Sequence, residues 1–326
     1  MRTDLSRLQS AIALALAGTL LVSAARGRTK KVAQPDKLVI LSVTDVKGKT
    51  SPCGCHTPKG GLSRQASFRD SMQAEYGNVM LVDNGGYFAE DDAHSGFPPF
   101  IQKEMAKIGF TCAGTGDRDL RHGLAFLKDN AKSAGLPQLS SNLYLKASNK
   151  PALQPSLITT VGGTKVGVFS LISDKVDLGP ARDSLIVKDP TEYAKRMVAE
   201  LRKSGATVVV LLSQLGKVES EDMANVVDGI DVVIAGRNVP LIQKGRLVKN
   251  TVVCFGGEQG QYIGRTILTL DSKHYATVRD NETFMLSPDV GEDPAILADV
   301  KAFEASFNEQ QAKLQKEQAA KAAAAA

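Results

Sequence analysis

Cys53-Gly54-Cys55-His56 sets two thiols one residue apart, with an imidazole directly after them. Thiolates and an imidazole together suit a soft or borderline cation, so one zinc or copper ion on Cys53, Cys55 and His56 is one reading. A second is a redox-active pair, its thiolate form favoured by the nearby Lys47 and Lys59. A third is a structural disulfide, with Cys112 and Cys254 as small buried apolar residues that add further thiols. The spacing excludes two others, because covalent haem attachment and thioredoxin-like chemistry both place two residues between the cysteines.

These residues need elements to hold them. "LVILSV" before Thr44-Asp45 is apolar and β-branched, so it reads as a buried strand that delivers Asp45 to a polar loop. The pattern then recurs. "SRQASFRDSMQAEY" has a helical period, "NVMLVDNGG" is strand then glycine turn, and "PPFIQKEMAKIG" is a helix entered at prolines. "FTCAGTGDRD" is strand then polar loop, and "LPQLSSN" and "VGGTKVGVFSLIS" read as further strands. "PTEYAKRMVAELRKSG" is a helix, "ATVVVLLSQLG" and "GIDVVIAGRN" are strands, and "LVKNTVVCFGGEQGQYIGRTILTLD" reads as two strands around a glycine-rich bend. Alternating strands and helices predict a layered α/β fold whose sites form in loops at the strand ends.

Composition bounds the function. The 326 residues carry a net charge of +5, few aromatics and no tryptophan, with no clustered basic and aromatic residues to bind nucleic acid. Arg2 and Arg7 precede an apolar run, Ala11 to Ala25, with small residues at its end. This reads as a cleaved signal peptide over residues 1–25, the alternative being an uncleaved anchor helix. The expected location is therefore extracytoplasmic, periplasmic or secreted. Residues 26–36 read as a linker, 37–290 as the domain, and 291–326 as a helix with an Ala/Lys/Gln-rich tail. The helix has the spacing to pack on the domain, or secondarily to meet a protein partner. No other run is long and apolar enough to span a membrane. The acidic run at Glu90 to Asp92 with His94, and the lysines beside glycines in "DVKGKTSP" and "TPKGG", read as solvated loops.

The order of these blocks resembles the 5′-nucleotidase / UDP-sugar hydrolase family of metallophosphoesterases. "LVILSVTDVKG", "GGLSRQAS", "VMLVDNGGYF", "GTGDRDLRHG", "LPQLSSNLY", "GGTKVGVFSLIS", "LLSQLG", "GIDVVIAGRN" and "GQYIGRTILTL" follow the family's sequence of motifs over roughly residues 37 to 290. Some members also carry a Pro-Cys-Gly-Cys loop ahead of Gly-Gly-Leu-x-Arg. The resemblance implies a calcineurin-like β-sandwich flanked by helices, and in the family two divalent metals that generate a hydroxide nucleophile. Most of the implied ligands are replaced. Asp45 stands as the first Asp, but Lys47 stands where the pattern has His and Gly86 where it has the bridging Asp. Asp117 stands for Asn and Arg118 for the His that follows it, with Asp119 next. Gln214, Arg237 and Val239 stand at the remaining histidines. No dinuclear centre is expected, and the cations at Lys47, Arg118 and Arg237 are expected to pair with Asp45, Asp117 and Asp119. The family's aromatic substrate domain has no counterpart in 291–326, so the resemblance gives no source of nucleotide specificity.

Overall fold

The computed structural model describes residues 34–54, 56–89 and 96–325. The signal-like run, Cys55 and His94 lie outside them. Among the described residues no helix is long and apolar enough to cross a membrane.

The chain enters through β1 (Lys37–Val43), then α1 (Leu62–Tyr76), β2 (Val79–Asp83), α2 (Phe97–Ile108), β3 (Cys112–Ala113) and α3 (Gly123–Ala134). There follow β4 (Leu143–Leu145), β5 (Ser156–Val161), β6 (Thr164–Ile172), β7 (Leu185–Val187), α4 (Pro190–Lys203), β8 (Val208–Gln214), α5 (Lys217–Val226) and β9 (Val232–Ala235). The chain continues through β10 (Ile242–Val248), β11 (Thr251–Phe255), β12 (Tyr262–Leu270), β13 (Ala276–Met285) and α6 (Pro294–Ala325). Eleven strands form one continuous ladder in the order β3-β2-β1-β12-β13-β10-β11-β9-β8-β6-β5. Only Lys244↔Glu282 joins β10 to β13, so the ladder divides there into two halves.

The apolar strands explain the layering. Along β1, Leu38 and Ile40 enter a core shared with Val208, Val210 and Leu212 of β8, while Val39 and Leu41 face the helix-covered core. β8 sends Val209 and Leu211 to its own outer layer with α4. Both faces of these strands are buried, which is why their sequences run apolar without alternation. On the outer layer of the first half, Phe97 and Phe100 of α2 meet Phe303 and Phe307 of α6; Phe100 stacks on Phe303 at 4.0 Å. The first turns of α6 therefore pack on the domain through Ile296 and Val300, and beyond Phe307 its side chains are mostly exposed.

Three sequence expectations differ. Leu136 to Asn142 makes isolated bridges, Ala113↔Gln138 and Leu139↔Gln154, instead of a strand. Its buried polar side chains take the bonds a ladder would: Asn142 donates to the Ile172 carbonyl at 2.8 Å and accepts from the Ile172 N–H at 3.0 Å. Leu247 to Asp271 holds the two expected strands, β11 and β12, around the glycine-rich bend, but β10 just before them was not expected; Lys249 at φ 53° turns the chain between β10 and β11. β13, polar and half-exposed, had no apolar run to announce it.

Candidate functional site

β1, β2 and β3 run parallel, as do β6, β8, β9 and β11. Their carboxyl ends deliver loops that bond to one another. Asp45 N–H donates to Gly85 O at 3.0 Å, Lys47 N–H to Gly86 O at 3.1 Å, and Gln259 N–H to Asp45 O at 2.7 Å. Asp45, Lys47, Arg237, Asn238 and Gln259 all hold positive φ. Non-glycine residues seldom adopt that conformation, and such strain persists only where surrounding contacts over-determine it.

The structure brings most of the sequence candidates together, with different bonds from those expected. Asp45 is not clasped by a guanidinium. Its Oδ2 accepts the backbone N–H of Arg237 and the Thr44 hydroxyl, each at 2.9 Å. Lys47 and Arg118 act on Asp45 through their charge, while burial, the larger effect, pushes its carboxyl above the usual range. Lys47 itself forms an ion pair with Glu258. Asp119 accepts four backbone N–H groups: Gly86 at 2.7 Å, Gly116 at 2.8 Å, Tyr87 at 3.0 Å and Phe88 at 3.3 Å. Those donors satisfy it without any cation, which is why the expected pairing with arginine does not form there. Val239 is buried in the apolar core on the α4 side. Gln214 is buried with its Nε2 unpartnered.

Gly86 decides the geometry. It holds φ 73°, and a Cβ placed there would lie 2.4 Å from Asp45 Oδ1. The Asp45 carboxylate thus fills the space a side chain at position 86 would need. Among the described residues no group of three or more His, Cys, Asp or Glu is arranged to hold a metal ion. The residues present do not fit a dinuclear centre. Asp117, Arg118 and Arg121 line a cavity of about 650 Å³ together with Asp177.

Sequence reasoning missed two acidic partners. Asp83 is fully buried, accepts the Gly85 N–H at 2.7 Å through one oxygen, and leaves the other unpartnered. Burial pushes its carboxyl well up, and the charges of Asp119 and Asp45 add to that. The signal was present, since Asp83 ends an apolar strand just before a glycine pair. Glu258 had no such signal.

Three buried carboxyls with raised pKa, Asp45, Asp83 and Asp119, set a pH dependence. Burial lifts Asp119 to about 7, against the pull of its N–H donors. The folded state then binds protons that the unfolded chain has released, so stability falls as pH rises from about 4, the ordinary carboxyl value, towards 7. Urea midpoints at pH 5 should exceed those at pH 7.5. A midpoint that rises across that interval would mean these carboxyls are ionised throughout.

Cys53 lies beside this pocket, lining a cavity together with Lys47. Cys53 is disulfide-bonded and in that state offers no thiolate to zinc or copper, which weighs against the metal reading among the three. His56 is exposed. Cys112 and Cys254 are buried free thiols; burial pushes both pKa values up, Cys254 to about 12. They are inert at neutral pH and belong to the core between the two halves.

No protein-family model matches the chain. It is 24% identical over 299 residues to a snake venom 5′-nucleotidase of Gloydius brevicauda, covering 81% of this chain and 50% of that protein. It superposes with a TM-score of 0.76 on the 5′-nucleotidase precursor from Thermus thermophilus, at 22% identity, over 84% of this chain and 59% of the other. On the calcineurin-like phosphoesterase YfkN from Bacillus subtilis the TM-score is 0.72 at 17% identity, over 84% and 98%. The chain spans about half the length of the curated relatives it matches.

Proposed function

The chain belongs to the 5′-nucleotidase family of metallophosphoesterases, and from that premise we propose that it is an exported, non-hydrolytic member whose Cys-x-Cys loop does redox chemistry. One observation carries the non-hydrolytic part. Position 86 is glycine, and Asp45 Oδ1 lies against the place a Cβ there would take, so no bridging carboxylate stands in this pocket. Without it, two metals cannot be held at the separation that hydroxide formation needs. The disulfide at Cys53 favours redox chemistry over metal binding. Export rests on the run from Ala11 to Ala25. N-terminal sequencing that found Met1 retained would end that part of the reading.

The direct test is turnover. With manganese or zinc added, hydrolysis of p-nitrophenyl phosphate, bis-p-nitrophenyl phosphate and a nucleoside 5′-monophosphate should stay at background. The names of the relatives favour the opposite reading, a divergent metal-dependent phosphoester hydrolase. Metal-dependent turnover that Asp45→Ala abolishes would establish that reading and overturn ours.

A further inference from the structure

Beside Cys53 lies a cavity of about 540 Å³, a size that accommodates a small molecule. Its walls include Lys47, Lys49, Cys53, Gln259, Gln261 and Glu304. Hydrogen bonds hold the backbone around Cys53. Cys53 N–H donates to Lys59 O at 2.9 Å, and Leu62 N–H to Thr50 O at 2.9 Å. Arg64 Nη1 clamps Pro58 O at 2.6 Å, and the Thr50 hydroxyl donates to Glu304 of α6. Lys59 N–H also donates to Cys53 Sγ at 3.3 Å. That donor favours negative charge on the sulfur, which eases reduction of the disulfide.

Charge in the cavity is specific. Lys47 is engaged by Glu258. Lys49 is exposed, and its ammonium has no ion-pair partner among the described residues. Glu304 supplies one carboxylate. Among the described residues the walls therefore present one available cation, one anion and the side-chain amides of Gln259 and Gln261, next to the Cys53 sulfur.

We propose that this cavity binds a small zwitterionic thiol, of the amino-acid or short-peptide class, and delivers it to the Cys53 disulfide. The proposal rests on the redox reading above and adds the substrate class. The carboxylate of the thiol meets Lys49 and its ammonium meets Glu304. Its thiolate attacks Cys53 Sγ, the protein S–S bond breaks, and the sulfur bonded to Cys53 leaves as a thiolate that takes up a proton. A mixed disulfide now joins Cys53 to the small thiol. A second thiolate attacks the small-molecule sulfur of that bond, forming the free small-molecule disulfide. Cys53 is released as a thiolate beside the Lys59 N–H. Two thiols are oxidised and one protein disulfide is reduced.

The full oxidised protein is mixed with glutathione, cysteine, 2-mercaptoethanol or dithiothreitol, and free protein thiols are counted over time at equal thiolate concentration. Glutathione and cysteine should show saturation and outpace neutral 2-mercaptoethanol by about tenfold, the effect of one well-placed ionic contact of about 1.4 kcal/mol. Lys49→Glu should collapse the ratio of the glutathione rate to the 2-mercaptoethanol rate. Equal, unsaturable rates for all thiols, or a ratio untouched by Lys49→Glu, overturns the binding site and leaves the redox reading standing. A disulfide that even dithiothreitol leaves intact overturns both.

Discussion

Asp119→Ala should cost the domain about 5 kcal/mol and leave it partly unfolded at ambient temperature, because four buried N–H groups lose their common acceptor at once. Each stranded buried donor costs roughly 1–3 kcal/mol, and the four do not add fully. An opposing effect exists. Asp119 is itself fully buried, and burial raises its carboxyl to about 7, so its removal relieves a desolvated charge. The donors win, since relief applies to one group and the loss to several. The loop 84–88 and the 3-10 turn at Arg118–Leu120 are tied together through this carboxylate, so both should loosen together. Asp119→Asn, which keeps one acceptor oxygen, should cost less. Urea melts of the three proteins check this. An Asp119→Ala midpoint within error of wild type would mean the loops find other partners.

That bond set shows what the sequence could and could not reveal. The buried strands were legible because β1 and β8 are apolar on both faces, and their order gave the layered fold. β13 was not, because its exposed side is polar and its length carries no apolar run. Within the pocket, identity at each position was readable but bonding was not. Arg237 looked like a cation for Asp45; in the fold its backbone N–H takes that role, from a residue with φ 72°. Backbone direction in a strained loop depends on contacts from distant segments, and residue type does not encode it. The partner of Lys47 is 211 positions away at Glu258, in a glycine-rich bend that no local pattern marks. Cys53 was readable as reactive, and its disulfide weighs against the metal reading but fits the redox and the structural readings alike.

Gly86→Asp restores the carboxylate that the family pattern carries, and it should destabilise the protein without recruiting metal. Three costs act together. A side chain at φ 73° is strained by about 1–2 kcal/mol. Its Cβ would overlap Asp45 Oδ1 at 2.4 Å, and Asp45 cannot simply rotate away, because its other oxygen holds Arg237 N–H and Thr44. The new carboxylate would also join Asp45, Asp83 and Asp119, where the charges of Asp119 and Asp45 already raise the proton affinity of Asp83. The sum is roughly 3–5 kcal/mol, or a fall of about 5–10 °C in Tm for a domain of this size. Gly86→Ala carries the first two costs and omits the third, so the difference between the variants measures the charge repulsion. Raising the pH from 5 to 7.5 should widen that difference, since the added carboxyl must then ionise among its neighbours. Manganese or zinc should not restore Tm, because Lys47, Arg118 and Arg237 stand where further ligands would be needed and none of them can bind a cation in its charged form. If Gly86→Asp instead melts with wild type and takes up two metals per chain, the pocket is a dormant metal site and the filled-pocket account is wrong.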